Sequence, residues 1–133
     1  MTGITELETL LKSMSPALNP EEYVFCTVEG VYGDYAHLKP KASFYEDEGL
    51  TLLLTTSAAA SAKIVFESTF KMITLTVHSS LEAVGLTAAV SAKLTEHNIS
   101  ANVIAAYYHD HILVQSERAE DAMKALGEFN LSA

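Results

Sequence analysis

Two groups of residues in this chain have types and spacing suited to chemistry: the run His78-Ser79-Ser80-Leu81-Glu82-Ala83-Val84-Gly85-Leu86 and the trio His109-Asp110-His111. The first lies where a period-2 pattern (Ile73, Leu75, Val77 against Met72, Thr74, Thr76) gives way to a helical one (Leu86, Ala89, Val90, Leu94). Residues 79–86 are therefore a strand-to-helix turn. The first amides of a helix lack intrahelical partners and carry the positive end of the macrodipole. A carboxylate or phosphate is stable there. Gly85 allows close approach to the backbone, and Glu82 offers a negative group for an ammonium. Together these suit a zwitterion held by His78, Ser79, Ser80, Leu81, Glu82, Val84, Gly85 and Leu86. The alternative is that Ser79 or Ser80 only caps the helix and Gly85 only eases the bend, as in most such turns.

Two histidines two apart on a strand share a face and can ligate a metal, with His78 or His37 completing a set. Here, however, they straddle a tight turn in which Asp110 is a natural turn residue. A metal site needs three or four convergent ligands. The expectation is a polar turn whose His109, Asp110 and His111 are at most secondary contacts for a ligand carboxylate, with no metal and no cofactor. A small metal-dependent enzyme using His78, His109 and His111 ranks last. Cys26, alone and alternating with Val24 and Val28, reads as a small buried hydrophobe. A single cysteine excludes an internal disulfide and a cysteine-based zinc site. Tyr32, Tyr35, Tyr107 and Tyr108 suit core or interface packing, with the lining of a pocket as the alternative. Glu46-Asp47-Glu48 lacks calcium-loop spacing. No phosphate loop, dinucleotide fingerprint or nucleophile elbow occurs, so no catalytic residue is assigned.

The elements that must position these residues read as follows. Ile4, Leu7, Leu10, Leu11 and Met14 recur at helical spacing, with Thr5 and Glu8 resembling a capping box and Pro16 ending the helix. Asn19-Pro20 opens a turn, and Tyr23–Glu29 is a strand. Residues 30–41 form an irregular connection with room for one helical turn. Ala42–Glu46 and Leu50–Thr56 make a hairpin around Asp47-Glu48-Gly49, and Ser57 caps a short helix over Ala58–Ile64. After the helix ending near Asn98, strands over Ala101–Tyr108 and His111–Gln115 flank a tight turn. Ser116 caps a last helix burying Ala119, Ala122, Met123 and Leu126, and Phe129–Ala133 adds a short edge strand. The two halves repeat one order of elements, so the expectation is two α+β units, the first degenerate, sharing or packing their sheets.

Composition narrows the function classes. A hydrophobic fraction of 49% with 19% charged residues is that of a folded chain. A net charge of −9 opposes binding to nucleic acid or to anionic membranes. The N-terminus lacks the basic and apolar regions of a signal peptide, and no apolar run reaches spanning length; a cytoplasmic protein is expected.

The run Glu82-Ala83-Val84-Gly85-Leu86, then Leu94 and Asn98-Ile99-Ser100-Ala101-Asn102-Val103, resembles the ACT domain. Thr76–Ala88 and Ala106-Tyr107-Tyr108-His109-Asp110-His111 look like small bacterial stand-alone proteins with tandem ACT-like domains. Glu46-Asp47-Glu48-Gly49-Leu50 fits their degenerate partner domain. Val84 stands where many ACT domains have proline, which makes the turn less rigid. The resemblance implies an α+β fold of two ferredoxin-like units of βαββα type, with antiparallel sheets and helices on one face. It places the domains at 1–66, with the N-terminal helix, and 67–133. It also implies resemblance to aspartate kinase regulatory domains and an amino acid bound at a domain or subunit interface. A homodimer, a regulated enzyme as partner, and no catalysis follow; a purely structural assembly protein is the alternative.

Overall fold

The computed structural model describes residues 3–76 and 85–131, with side chains from 7 to 130. The elements are α1 (Gly3–Ser13), β1 (Pro16–Val28), β2 (Ala42–Glu46), β3 (Gly49–Thr55), α2 (Thr56–Ser61), β4 (Phe70–Leu75), α3 (Leu86–Glu96), β5 (Asn102–Ala105), β6 (Asp110–Gln115) and α4 (Ala119–Leu131). They form two compact units. One comprises Met1–Asn19 with Lys71–Ala133, the other Pro20–Phe70. The N-terminal helix, assigned above to the first half by sequence order, thus packs with the second half.

In the unit holding residues 20–70 the strand order is β2-β3-β1. β1 and β3 pair antiparallel from Tyr23↔Thr55 to Val28↔Leu50, which puts Val24, Cys26 and Val28 on the face carrying Leu54, Leu52 and Leu50. That face packs with Ala59 of α2 into one core, joined by Tyr35, Leu38 and Ile64. The β2–β3 hairpin closes on Glu46↔Gly49 around Asp47-Glu48, as expected. Gly49 has φ +156°, and a Cβ there would meet Thr27 Oγ1 at 2.6 Å, so only glycine fits. Residues 30–41 hold two 3-10 turns, Tyr32–Asp34 and Ala36–Leu38. The Tyr35 hydroxyl donates to Glu29 O at 2.5 Å, and Tyr32 N donates to the Tyr45 hydroxyl at 2.8 Å, tying this segment down.

In the other unit β4, β6 and β5 lie in that order. β5 and β6 pair antiparallel from Asn102↔Leu113 to Ala105↔Asp110. Ile73, Leu75, Ile112 and Val114 face α3 and α4, whose Leu86, Val90, Leu94, Ala119, Ala122, Ala125 and Leu126 complete the core. Met14 is 1% exposed there, and Leu7, Leu10 and Leu11 of α1 pack against it. Asn130 Nδ2 donates to Lys12 O at 2.8 Å and Met14 O at 3.1 Å, satisfying carbonyls at the end of α1.

Several local expectations change. Asn19-Pro20 is not a turn; β1 runs from Pro16 through it. Pro20 lies outside the stretch that pairs with β3, so on that side its missing N–H breaks no ladder bond. The cap of α2 is Thr55, whose hydroxyl accepts from Ala58 N at 3.1 Å, not Ser57, and the helix ends at Ser61. Gln115 precedes a 3-10 turn over Ser116–Arg118, so Ser116 does not cap α4 directly. The final edge strand is absent among the described residues: α4 continues through Phe129 to Leu131, since no proline or glycine halts it after Gly127.

Candidate functional site

β4 delivers the chain to the turn, and α3 leaves it. β4 ends at Leu75, and Thr76 N donates to Ser15 O at 3.1 Å, anchoring the exit from the strand. Val77 through Val84 lie outside the described residues. The expected ligand contacts His78, Ser79, Ser80, Leu81, Glu82 and Val84, and the last residues of the expected strand, fall there. Gly85 and Leu86 are described. Gly85 is the N-cap of the 11-residue α3, with φ +98°, and no side-chain cap bond is made at this position. Its carbonyl accepts from Ala89 N at 2.8 Å, so the helix is wound from its first residue. Leu86 is 3% exposed and belongs to the core, so its side chain anchors α3 and only its backbone is available to a ligand.

The role of Gly85 is more specific than the sequence indicated. A Cβ built on it would sit 3.1 Å from Leu7 Cδ2 of α1. The side of Gly85 left open by the absent side chain is filled by α1. Glycine suits the left-handed backbone there, and any larger residue would also need Leu7 to shift by a few tenths of an ångström.

The second group is split by the fold. Asp110 opens β6 opposite Ala105, and Ala106 N donates to His109 O at 3.1 Å, closing the turn. His111 Nδ1 lies 2.9 Å from Thr74 Oγ1 of β4, so a strand-to-strand hydrogen bond engages this ring. The Nδ1 of His109 is buried with no hydrogen-bond partner among the described residues. Buried polar atoms are ordinarily paired, so this nitrogen has spare hydrogen-bonding capacity. Tyr107 and Tyr108 cap the hairpin as an edge-to-face pair, 72% and 67% exposed, rather than packing in a core. No cluster of three or more His, Cys, Asp or Glu suited to a metal occurs among the described residues. Cys26 is half-buried, and burial pushes its thiol up, away from the reactive thiolate.

A further polar cluster forms only in the folded chain. The basic residues Lys93, His97, Arg118 and Lys124 gather with Glu96, Asp121 and Glu128 where the end of α3 lies against α4. Its members come from segments some twenty residues apart, and only the packing of α3 on α4 joins them. Local spacing carries no sign of it beyond the i,i+3 pairs Lys93–Glu96 and Arg118–Asp121.

Comparison with known proteins now fits this geometry. Models of the ACT domain match residues 2–71 and 67–128. The chain is 59% identical to a Vibrio cholerae protein of unknown function, described as a possible transport protein, with a TM-score of 0.89, covering 97% of this chain and 99% of that one. It shares its fold with the regulatory subunit of aspartate kinase from Thermus thermophilus (7% identity, TM-score 0.66, 89% and 97% covered). It also matches E. coli aspartokinase III, solved with aspartate and ADP (15% identity, TM-score 0.63), over 89% of this chain and 33% of that one. No curated protein matches. Two ferredoxin-like units in tandem, a glycine-initiated helix after a strand, and matches to two ACT-domain models that together span residues 2–128 agree: the chain belongs to the ACT-domain family.

Proposed function

We propose that this protein is an amino-acid-binding regulatory module, non-catalytic and cytoplasmic, in which the backbone amides of residues 79–86 receive a ligand carboxylate at a domain or subunit interface. The observation that carries this reading is the start of α3. Gly85 puts a left-handed residue with no capping side chain directly ahead of an 11-residue helix. Such an end favours an anion. Glu82 is the proposed partner of the ammonium, and the unpaired Nδ1 of His109, with Asp110 and His111 beside it, is a proposed secondary contact. The aspartokinase solved with aspartate supports an amino acid as the ligand class by analogy of fold. The two family matches support sequence domains at 1–66 and 67–133 for this tandem, with the N-terminal helix of the first packing into the unit of the second. A homodimer is proposed through a strand edge. β2 is an edge strand, and its Phe44 and Tyr45 are 70% and 62% exposed, a surface that pairing would cover. A regulated enzyme is the proposed recipient of the signal.

The experiment is a thermal-shift screen against the common amino acids, followed by calorimetry on any hit. A ligand at about 100 times its dissociation constant stabilises the native state by roughly 2.7 kcal/mol. The hit should weaken at least tenfold in Glu82→Gln. A flat midpoint for every amino acid at millimolar concentration rejects the ligand and leaves assembly alone. Light scattering with and without the ligand then distinguishes a constitutive dimer from a responsive one.

A further inference from the structure

At the end of α3 opposite Gly85, a cleft of about 380 Å³ is lined by His97, Arg118, Asp121, Lys124, Ala125 and Glu128. Its hydrogen-bonding capacity is unevenly spent. Both Glu128 oxygens are engaged, Oε1 by Lys93 Nζ at 3.1 Å and Oε2 by His97 Nε2 at 2.9 Å. Arg118 donates from one terminal nitrogen to Asn98 O at 3.1 Å and from the other to His97 O at 3.0 Å, covering the carbonyls that end α3. Its Nε donates to Asp121 Oδ2 at 3.3 Å. A guanidinium has five N–H groups, so two on Arg118 are unspent. Lys124 is exposed and makes no hydrogen bond or ion pair among the described residues. The unspent donors are cationic; of the carboxylates lining the cleft, Glu128 accepts from Lys93 and His97, and Asp121 accepts from Arg118 through one oxygen.

We propose that this cleft is a binding site for a small oxyanion, a carboxylate or phosphate group bridging Lys124 and the free N–H groups of Arg118. It is separate from the start of α3 at Gly85: α3 has 11 residues, so its two ends are about 16 Å apart. The proposal therefore stands whether or not the turn at 79–86 binds an amino acid. Arg118 holds the end of α3 as well as the anion; Lys124 has only the second task, which makes it the residue to test.

The test is an amide chemical-shift titration of the full chain with inorganic phosphate and, separately, with succinate, at constant ionic strength in chloride. The expected result is saturable shifts at His97, Arg118, Asp121 and Lys124 with at least one anion; which anion saturates identifies the phosphate or carboxylate source. Lys124→Ala should weaken the affinity tenfold or more with the thermal midpoint unchanged. Lys41→Ala, in the other unit, should leave it unchanged. Shifts that rise linearly without saturation for both anions, or an equal loss in both variants, would overturn the site in favour of general charge screening. Shifts confined to residues 79–86 would overturn it too.

Discussion

At the residue scale, the strongest constraints are on Gly85 and Glu128. Gly85→Ala must place a Cβ against Leu7 in a left-handed backbone, and should cost about 1–3 kcal/mol by urea denaturation. Leu7→Ala removes the neighbouring methyls, so the double variant should lose less than the sum of the singles. A strictly additive pair would show that Leu7 does not press on this position. This is why replacing Gly85 is a poor test of ligand binding and Glu82→Gln a better one. For Glu128, the hydrogen bond from Lys93 is the main cause holding its carboxyl below the ordinary carboxylate value, with His97 adding to it. A carboxyl depressed in the folded state stabilises fully above its unfolded value and loses that contribution as pH falls through its folded one. The stability difference between wild type and Glu128→Gln should therefore shrink as pH is lowered from about 6 to 3. A difference independent of pH would contradict the assignment.

At the element scale, helix ends decide more than helix interiors. α3 stops at a C-cap, His97, followed by Asn98 at φ +59°. Asn98 N donates to Thr95 O and Ile99 N to Leu94 O, both at 2.9 Å, and Ile99 then packs with Leu94 in the core. This is a Schellman ending, and an asparagine at its left-handed position was readable from the sequence. Asn98→Val should cost roughly 1–2 kcal/mol, because a β-branched residue is strained there, whereas Asn98→Gly should be nearly neutral. Chemical denaturation of both variants checks the contrast; equal effects would mean the left-handed turn relaxes freely. The start of α2 was harder to read. Thr55, Thr56 and Ser57 are all capable caps, and the register of β3 against β1 leaves Thr55 at the strand end. Thr55→Ala should cost about 1 kcal/mol and Ser57→Ala little.

At the scale of the whole molecule, the chain is not partitioned in sequence order. α1 opens the protein yet packs on α3 and α4 through Leu7, Leu10, Leu11 and Met14. Met14→Ala should destabilise by about 2–5 kcal/mol. Hydrogen exchange should show the loss first in β4, β6, α3 and α4, while β2 and β3 keep their protection. Loss spread evenly over residues 20–70 would refute the division into these two units. No described helix is long and apolar enough to cross a membrane.

Much of this protein is legible in one dimension because it depends on neighbours a few residues apart. The alternation of β4, the apolar stripes of α1, α3 and α4, the hairpin at Asp47-Glu48-Gly49 and the ending at Asn98 are local patterns whose periods follow from backbone geometry. So is the start of α3, whose Gly85 and Leu86 also carry the family resemblance. What only the tertiary structure decided is non-local. Which half α1 joins depends on where its leucines find a complementary core. That Gly85 faces Leu7 rather than open space depends on the same packing. The meeting of Lys93, His97 and Glu128 with Arg118 and Lys124 depends on α3 lying against α4, because side chains thirty residues apart share no spacing rule until the elements carrying them are in contact.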